Sequence, residues 1–568
     1  MTTASLLAVA RGDAPADLLF KGGRVVNVFT GEVEEVDVAV FGERIAGVGE
    51  GYEAASVVDL HGRFLLPGFL DAHVHVESSL ATPLEFAGAV VPRGTTTVIT
   101  DPHEIANVHG MEGIRYMLQA SQDLPLTVFV MASSCVPATH MGTAGAALEA
   151  GALEELLSHP RVLGLAEVMN FPGVIFGDPG IMAKLEAFRD RVVDGHAPGV
   201  RGKTLNAYVA GGPTSDHECT TPEEALEKLR RGLFVYLRDA TNARNLVDLI
   251  PALTPENLRR VALCTDDRQP PDLLDEGGID AMVRTLVREG IPPVEAIRLA
   301  TLNPAEHFRL DDRGAVAPGR RADLVVARDL EDLRAQEVYA GGILVAREGA
   351  PLPWTIPPRP LPPPPSMRVD WEKVNLEIPA RDGRVRVIRA IPNQLVTLAE
   401  EVVPTVDGDR VVADPGRDLL KIAVLERHSG SGRVGVGLVT GVGLKAGAMA
   451  GTVAHDHHNL VAMGTDDESI LTAARAVAEM GGGLAVAKGP RVLATLPLPI
   501  GGLMSGEPIA TVRKGLEEVV AAARSLGSPL HDPFMAMSFL ALEVIPSLKI
   551  TDHGLVDVDR FQLVDLWV

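Results

Sequence analysis

Two histidines one residue apart, His73 and His75, close an apolar run rich in Leu and Phe (FLLPGFLDAHVHVESS, 64–79). Alternate residues of a β-strand point to the same side. A strand ending His-Val-His therefore aims two imidazoles at one point, a geometry that grips a divalent metal. Further along, Glu167, His196, His217 and Asp266 each end another strand-like run. All six are nitrogen or oxygen donors, too many for one tetrahedral ion but suited to two ions bridged by a carboxylate. Glu167, from the middle of the series, is the expected bridge. Two cations sharing a hydroxide make a nucleophile at neutral pH, because each lowers the pKa of the shared water. With no thiolate in the set, Zn, Fe and Mn are all admitted.

Asp266 has a second expected role, accepting a proton from that water and delivering it to a leaving amine. Its neighbour Asp267 is assigned no more than a salt bridge. The run Asp101-Pro102-His103-Glu104 ends another strand and brings ionisable groups to the same place. Two readings stand there: a solvated turn, or a protonated Glu104 facing a ring nitrogen of a heterocycle.

These residues need a scaffold that brings many strand ends together. Between residues 64 and 310 the texture is strand, loop, helix, repeated. Strand candidates include 95–102 (TTTVITDP), 126–133, 162–170, 234–240 and 261–268, with shorter pieces ending in DGH (194–196) and SDH (215–217). Helical segments such as TPEEALEKLRRG and IDAMVRTLVREG separate them. The expected fold is α/β, a (β/α)₈ TIM-like barrel whose active site lies at the strands' C-terminal ends. Residues 1–63 and 311–350 read instead as short β-branched runs with Gly turns. Together they form a small β-sandwich domain into which the barrel is inserted. A Pro-rich linker (351–366) leads to an α+β C-terminal domain (367–568).

Composition narrows the function classes. Hydrophobic residues make up 46% of the chain and charged residues 22%, a globular balance. The net charge of −23 argues against nucleic acid or an anionic membrane as the main partner. Three cysteines (Cys135, Cys219, Cys264) make a disulfide framework unexpected and fit a reducing cytoplasm. Neither a signal peptide nor a membrane span of about 18 apolar residues is expected.

The motifs PGFLDAHVHVESS, GTTTVITDPHEIANVHG, LGLAEVMNFPGV and the Asp266 segment resemble the amidohydrolase superfamily and, within it, the adenine deaminases of bacterial type. The resemblance extends to HDHHNLVAMGTDDE (455–468), LPLPIGGLMS (496–505) and IPSLKITDHGLVDV (545–558), so it covers nearly the whole chain. It implies hydrolysis of adenine to hypoxanthine and ammonia at a binuclear centre, usually of manganese or iron, in a homodimer or higher homo-oligomer. It also implies that Glu167 stands where many superfamily members use a carboxylated lysine. Within the matching motifs, Glu77, Asp101, His103, Arg238, His457 and His458 are the expected substrate contacts. Two departures bear on those contacts: Arg268-Gln269-Pro270 where the family usually has His after the basic residue, and Asp239-Ala240 where Glu-Gly usually follows the Arg.

Rival readings are a hydrolase opening a cyclic amide, dihydropyrimidinase-like, and a catalytically dead scaffold. The first lacks the expected bridging lysine; the second would be expected to have lost ligands. The segment His455-Asp456-His457-His458-Asn459 is read as a third metal site, a polar cover over the barrel mouth, or a solvated turn. The cover is the working expectation, because a barrel mouth must exclude water from the reacting centre.

Overall fold

The computed structural model describes residues 2–356, 358–392 and 394–568. Five strands, Phe69–Val74, Thr95–Thr100, Thr127–Ala132, Val162–Val168 and Val192–Gly195, form one parallel sheet. Three more, Ser215–Asp216, Phe234–Arg238 and Val261–Cys264, form a second. The two sheets meet at both edges. Val74 pairs in parallel with Asp266, and the Thr214 amide donates to the Val193 carbonyl at 2.9 Å. The parallel sheet is therefore curled, and the C-terminal ends of its strands converge. Runs such as TTTVIT, buried at every position, are what a strand covered on both faces requires.

The helices between these strands are specified locally. Pro222–Arg230 starts on Thr221, whose hydroxyl accepts from the Glu224 amide, with Pro at the first turn, acidic residues following it and Lys228 and Arg230 at the far end. Lys228 turns inward and is fully buried. Its ammonium donates to the Ala197 carbonyl (2.7 Å), Asp216 (2.9 Å) and Glu224 (2.7 Å). One helix residue thus ties down the strand ends next to His196 and His217.

The 64–79 run, read from sequence as one strand, is two. Phe64–Pro67 pairs with Leu324–Ala327 in a separate sheet, and only Phe69–Val74 carries His73 into the parallel sheet. They part at Gly68, where a Cβ would lie 2.2 Å from Thr96 Oγ1. Strands from both flanks of the parallel unit, among them Arg24–Asn27 and Ala335–Ala340, share that separate sheet. The solvated-turn reading of residues 101–104 is overturned: His103–His109 is a helix, with His103 3% and Glu104 2% exposed.

Along the Pro-rich segment, Arg359 donates to the Ala120 carbonyl and Trp354 to that of Val345; Pro357, part of the expected linker, lies outside the described residues. Beyond it stands a separate C-terminal unit. Its eight-stranded sheet carries helix Asp467–Glu479 on one face and Ile509–Ser525 on the other. This unit is not tethered loosely. Ile500, Leu503, Met504 and Ile509 share a core with Phe86, Val90 and Leu273 of the parallel-strand unit. Among the described residues, no helix is long and apolar enough to cross a membrane.

Candidate metal centre and active site

The six strand-end groups meet in one buried cluster. His73 Nε2 and His75 Nε2 lie 3.1 Å apart. Asp266 Oδ1 is 3.3 Å from His75 Nε2 and 3.7 Å from His73 Nε2. Glu167 Oε1 is 3.2 and 3.6 Å from the same two nitrogens. The other oxygen, Glu167 Oε2, is 2.6 Å from His196 Nδ1 and 3.3 Å from His217 Nε2. One carboxylate therefore faces two donor sets, one with each oxygen.

Four of the donors are held from behind. Asp194 Oδ2 is 3.3 Å from His73 Nδ1, and the Asp101 carbonyl is 3.0 Å from His75 Nδ1. The His196 amide donates to Tyr208 Oη at 2.9 Å. Asp266 sits at φ 53°, a left-handed conformation that Asp tolerates better than most residues. Its amide donates to the His73 carbonyl (3.0 Å), and its carbonyl accepts from the His75 amide (3.3 Å). Arg238 donates to Asp266 Oδ2 at 3.1 Å and grips both oxygens of Glu218.

Divalent cations fit this cluster on two grounds. Donor separations of 3.1 and 3.3 Å around His75 match the edge, about 3.0–3.4 Å, of a polyhedron with metal–ligand bonds near 2.1 Å, and the third, 3.7 Å between His73 and Asp266, is slightly wider. The electrostatics agree. Six carboxylates but one guanidinium line the pocket, and the carboxylates pull protons onto the imidazoles. Burial alone would lower the His217 pKa, but hydrogen bonding and charge from Glu167 raise it to about 9. Burial likewise opposes ionisation of Glu167, yet His196, His217 and His75 hold it well below the usual carboxylate range. Asp266 is held low in the same way by His75, Arg238 and His217. Cations placed here would neutralise that excess of negative charge.

The other expected contacts divide. His103, Glu104 and Arg238 line the pocket. Asp101 stands behind it, accepting from Ser133 at 2.7 Å and lying 2.9 Å from His103 Nδ1, so it positions that ring. Glu77 is buried under the His103–His109 helix, where its Oε1 accepts from the Ile105 amide at 3.3 Å. A protonated Glu104 is corrected. Burial would raise its pKa, but His455, His458 and His103 outweigh burial and keep it ionised.

The C-terminal unit does reach this pocket through the 455–459 segment, but not through the two histidines named as substrate contacts. His457 sits behind the wall, with Nδ1 3.2 Å from Glu543 and Nε2 3.4 Å from the Thr139 carbonyl. His458 bonds Glu104 from outside the cavity. The residues that line the cavity are His455 and Asp456, with an apolar wall that includes Leu395, Met535, Phe539, Leu542 and Ile545.

Sequence reading also missed Glu218, which lies 3.5 Å from His217 Nε2 and 3.7 Å from His196 Nδ1, and Asp194 behind His73. Both neighbour a named ligand in DHE and DGH, and that adjacency was the available signal. Asp267, expected to form no more than a salt bridge, instead lines the pocket and accepts from Ser78. One departure from the family pattern, Asp239, meets the basic residue that precedes the other, Gln269: Arg268 pairs with Asp239 (3.0 Å) and Glu276 (2.7 Å).

Two family models match the chain: the amidohydrolase family over residues 64–345 and the adenine deaminase C-terminal domain over residues 394–562. The chain is 51% identical to an adenine deaminase of Desulfatibacillum aliphaticivorans over 99% of both chains. It is 50% identical to one of Cereibacter sphaeroides over 98% of this chain and 99% of that one. Among solved structures, a β-aspartyl dipeptidase from Fervidobacterium islandicum AW-1 aligns over 60% of this chain and 99% of its own, at 18% identity and a TM-score of 0.47.

Proposed function

The chain belongs to the adenine deaminase family of amidohydrolases, hydrolases that act on C–N bonds, and we propose that its buried pocket converts adenine and water to hypoxanthine and ammonia. The observation that carries this reading is Glu167, one buried carboxylate presenting each oxygen to a separate donor set. His73, His75 and Asp266 would hold one divalent cation, His196 and His217 a second, with Glu167 between them. Manganese or iron is proposed, with zinc as the alternative. Cations bound there would acidify water so that it ionises near neutral pH and would polarise the base at C6.

The chain's own groups carry the rest. Asp266, kept ionised and aimed by Arg238, takes the proton released when water attacks C6 and passes it toward the leaving amine. Glu104 and His103 face the same cavity and are placed to exchange a proton with N1. The apolar wall of the C-terminal unit excludes bulk water, which strengthens each of these interactions. The scaffold that fits this chemistry is a (β/α)₈ barrel closed through the Val74–Asp266 pairing and inserted into a β-sandwich built from residues 1–63 and 311–350. A cytoplasmic homodimer is proposed as the assembly.

The reading is tested by metal analysis beside a panel of purines and pyrimidines scored for ammonia release. About two divalent ions per chain and release from adenine are expected, with activity lost on chelation and restored by Mn²⁺ or Fe²⁺. Full turnover by rigorously metal-free protein would overturn it.

A further inference from the structure

The C-terminal unit brings two polar side chains to the cavity that the chemistry above does not use. His455 is 4% and Asp456 2% exposed, so water cannot satisfy them freely. Part of each is already committed. His455 Nδ1 lies 2.6 Å from Glu104 Oε1, and Asp456 Oδ1 is 3.7 Å from His103 Nε2. The remaining atoms, His455 Nε2 and Asp456 Oδ2, have no hydrogen-bond partner among the described residues. A buried polar group without a partner costs about 1–3 kcal/mol, so two side by side in a ligand cavity are unlike ordinary core residues. Beside them, the Phe539 ring stacks on His455 with planes 14° apart and centroids at 5.2 Å. Met535 and Ile545 line the same cavity.

We propose that His455 and Asp456 read the ring-nitrogen edge of the bound base, making the C-terminal unit the specificity half of the site. The inference rests on the adenine reading above and deepens it. Asp456 Oδ2 can only accept, so it takes a ring N–H. His455 Nε2 complements it. Burial works against charge on this ring, but Glu104 and Asp267 raise its pKa to about 9, leaving Nε2 an N–H donor near neutral pH. A donor next to an acceptor matches a ring nitrogen lone pair adjacent to a ring N–H, which the N3/N9 edge of free adenine offers. Substitution at N9 removes the N–H and sets a carbon against a buried carboxylate. The pair therefore selects free base over nucleoside, as a site built to hydrogen-bond a substrate N–H rejects the analogue that lacks it.

The test compares adenine with 9-methyladenine on full-length, metal-loaded wild type, Asp456→Asn and His455→Gln. Wild type is expected to prefer adenine strongly. Both variants should keep their full metal content yet lose about a hundredfold or more in kcat/KM for adenine, mostly through KM. Activity on 9-methyladenine should change little in Asp456→Asn and fall about tenfold in His455→Gln, which also loosens Glu104, a loss shared by both substrates, so in either variant the discrimination collapses. If Asp456→Asn fails to fold, its lost metal will reveal it, and His455→Gln carries the test. Wild-type kcat/KM for adenine in a fully loaded variant would overturn the inference and leave the reaction standing. Metal-loaded wild type inert on adenine would instead bring down the reaction assignment, and the inference with it.

Discussion

The two walls of the pocket are built on opposite plans. The parallel-strand wall is a dense cluster of charge in which each ligand nitrogen or oxygen faces another at 2.6–3.7 Å. Its donors stand at strand ends, backed by Asp194, Tyr208 and the Lys228 network. The C-terminal wall is mostly apolar and comes from a loop and the short helix Pro533–Phe539. That loop is tied down by remote partners as well as by its own turn, in which the His458 amide donates to the Ala454 carbonyl at 2.8 Å. Arg427 donates to the His458 carbonyl at 2.5 Å and the Gly501 carbonyl at 2.8 Å, and His428 Nε2 lies 2.8 Å from the His457 carbonyl. Asn459, Asp552 and Thr551 hold the 139–143 loop of the parallel-strand unit against it. The difference separates reaction from recognition: one wall concentrates charge for metal and proton transfer, the other shapes and dries the space for a flat neutral base.

That division can be broken at several depths. Glu167→Ala should be the most damaging change, because it removes the group shared by both donor sets. Metal content and ammonia release should fall together, the latter by about 10⁴-fold or more; a variant that keeps both ions would show that Glu167 is no bridge. Asp266→Asn should lose about 10³-fold in kcat while retaining most of the metal, and turnover at the wild-type rate would dismiss Asp266 as the proton shuttle. Arg238→Met should release Asp266 and Glu218 from their shared clamp, with a loss of about a hundredfold from mispositioning alone. Unchanged kcat there would mean the clamp is dispensable.

Changes behind the C-terminal wall should be milder. His458→Gln weakens one of the three imidazole contacts on Glu104 and is expected to lower kcat/KM about tenfold without loss of metal. His457→Gln, whose ring lies against Glu543 and the Thr139 carbonyl, should do less, and the reverse order would invert the roles assigned here. The smallest effect is expected from Glu426→Gln, which supports the loop holding His457 and His458. Burial alone would raise the Glu426 pKa, but hydrogen bonds from Ser429 and Ser431 bring it down to about 2 from 4.5. A depressed carboxylate contributes stability above its unfolded value, and that contribution fades as pH falls from 4.5 toward 2. Because the side chain is buried and Gln keeps part of its hydrogen bonding, the cost of Glu426→Gln at pH 7 should be about 1 kcal/mol, narrowing in that acid window. Equal destabilisation at pH 7 and pH 3 would contradict this.

What the sequence determined by itself was whatever depends on local repeat and adjacency. Alternation along a strand placed His73 and His75 on one side, and strand-then-helix texture placed Glu167, His196, His217 and Asp266 at ends that converge in a parallel sheet. The long motifs carried the family. Tertiary structure decided the rest, because those contacts join residues tens to hundreds of positions apart and no local period encodes them. It split the 64–79 run at Gly68, where Thr96 leaves no room for a side chain. It fixed Glu104 as a carboxylate by bringing His455 and His458 to it from the far end of the chain. The same packing turned His457 and His458 away from the cavity and left His455 and Asp456 facing it. Four adjacent polar residues look alike in sequence; which of them meet a ligand is set by what packs behind each one.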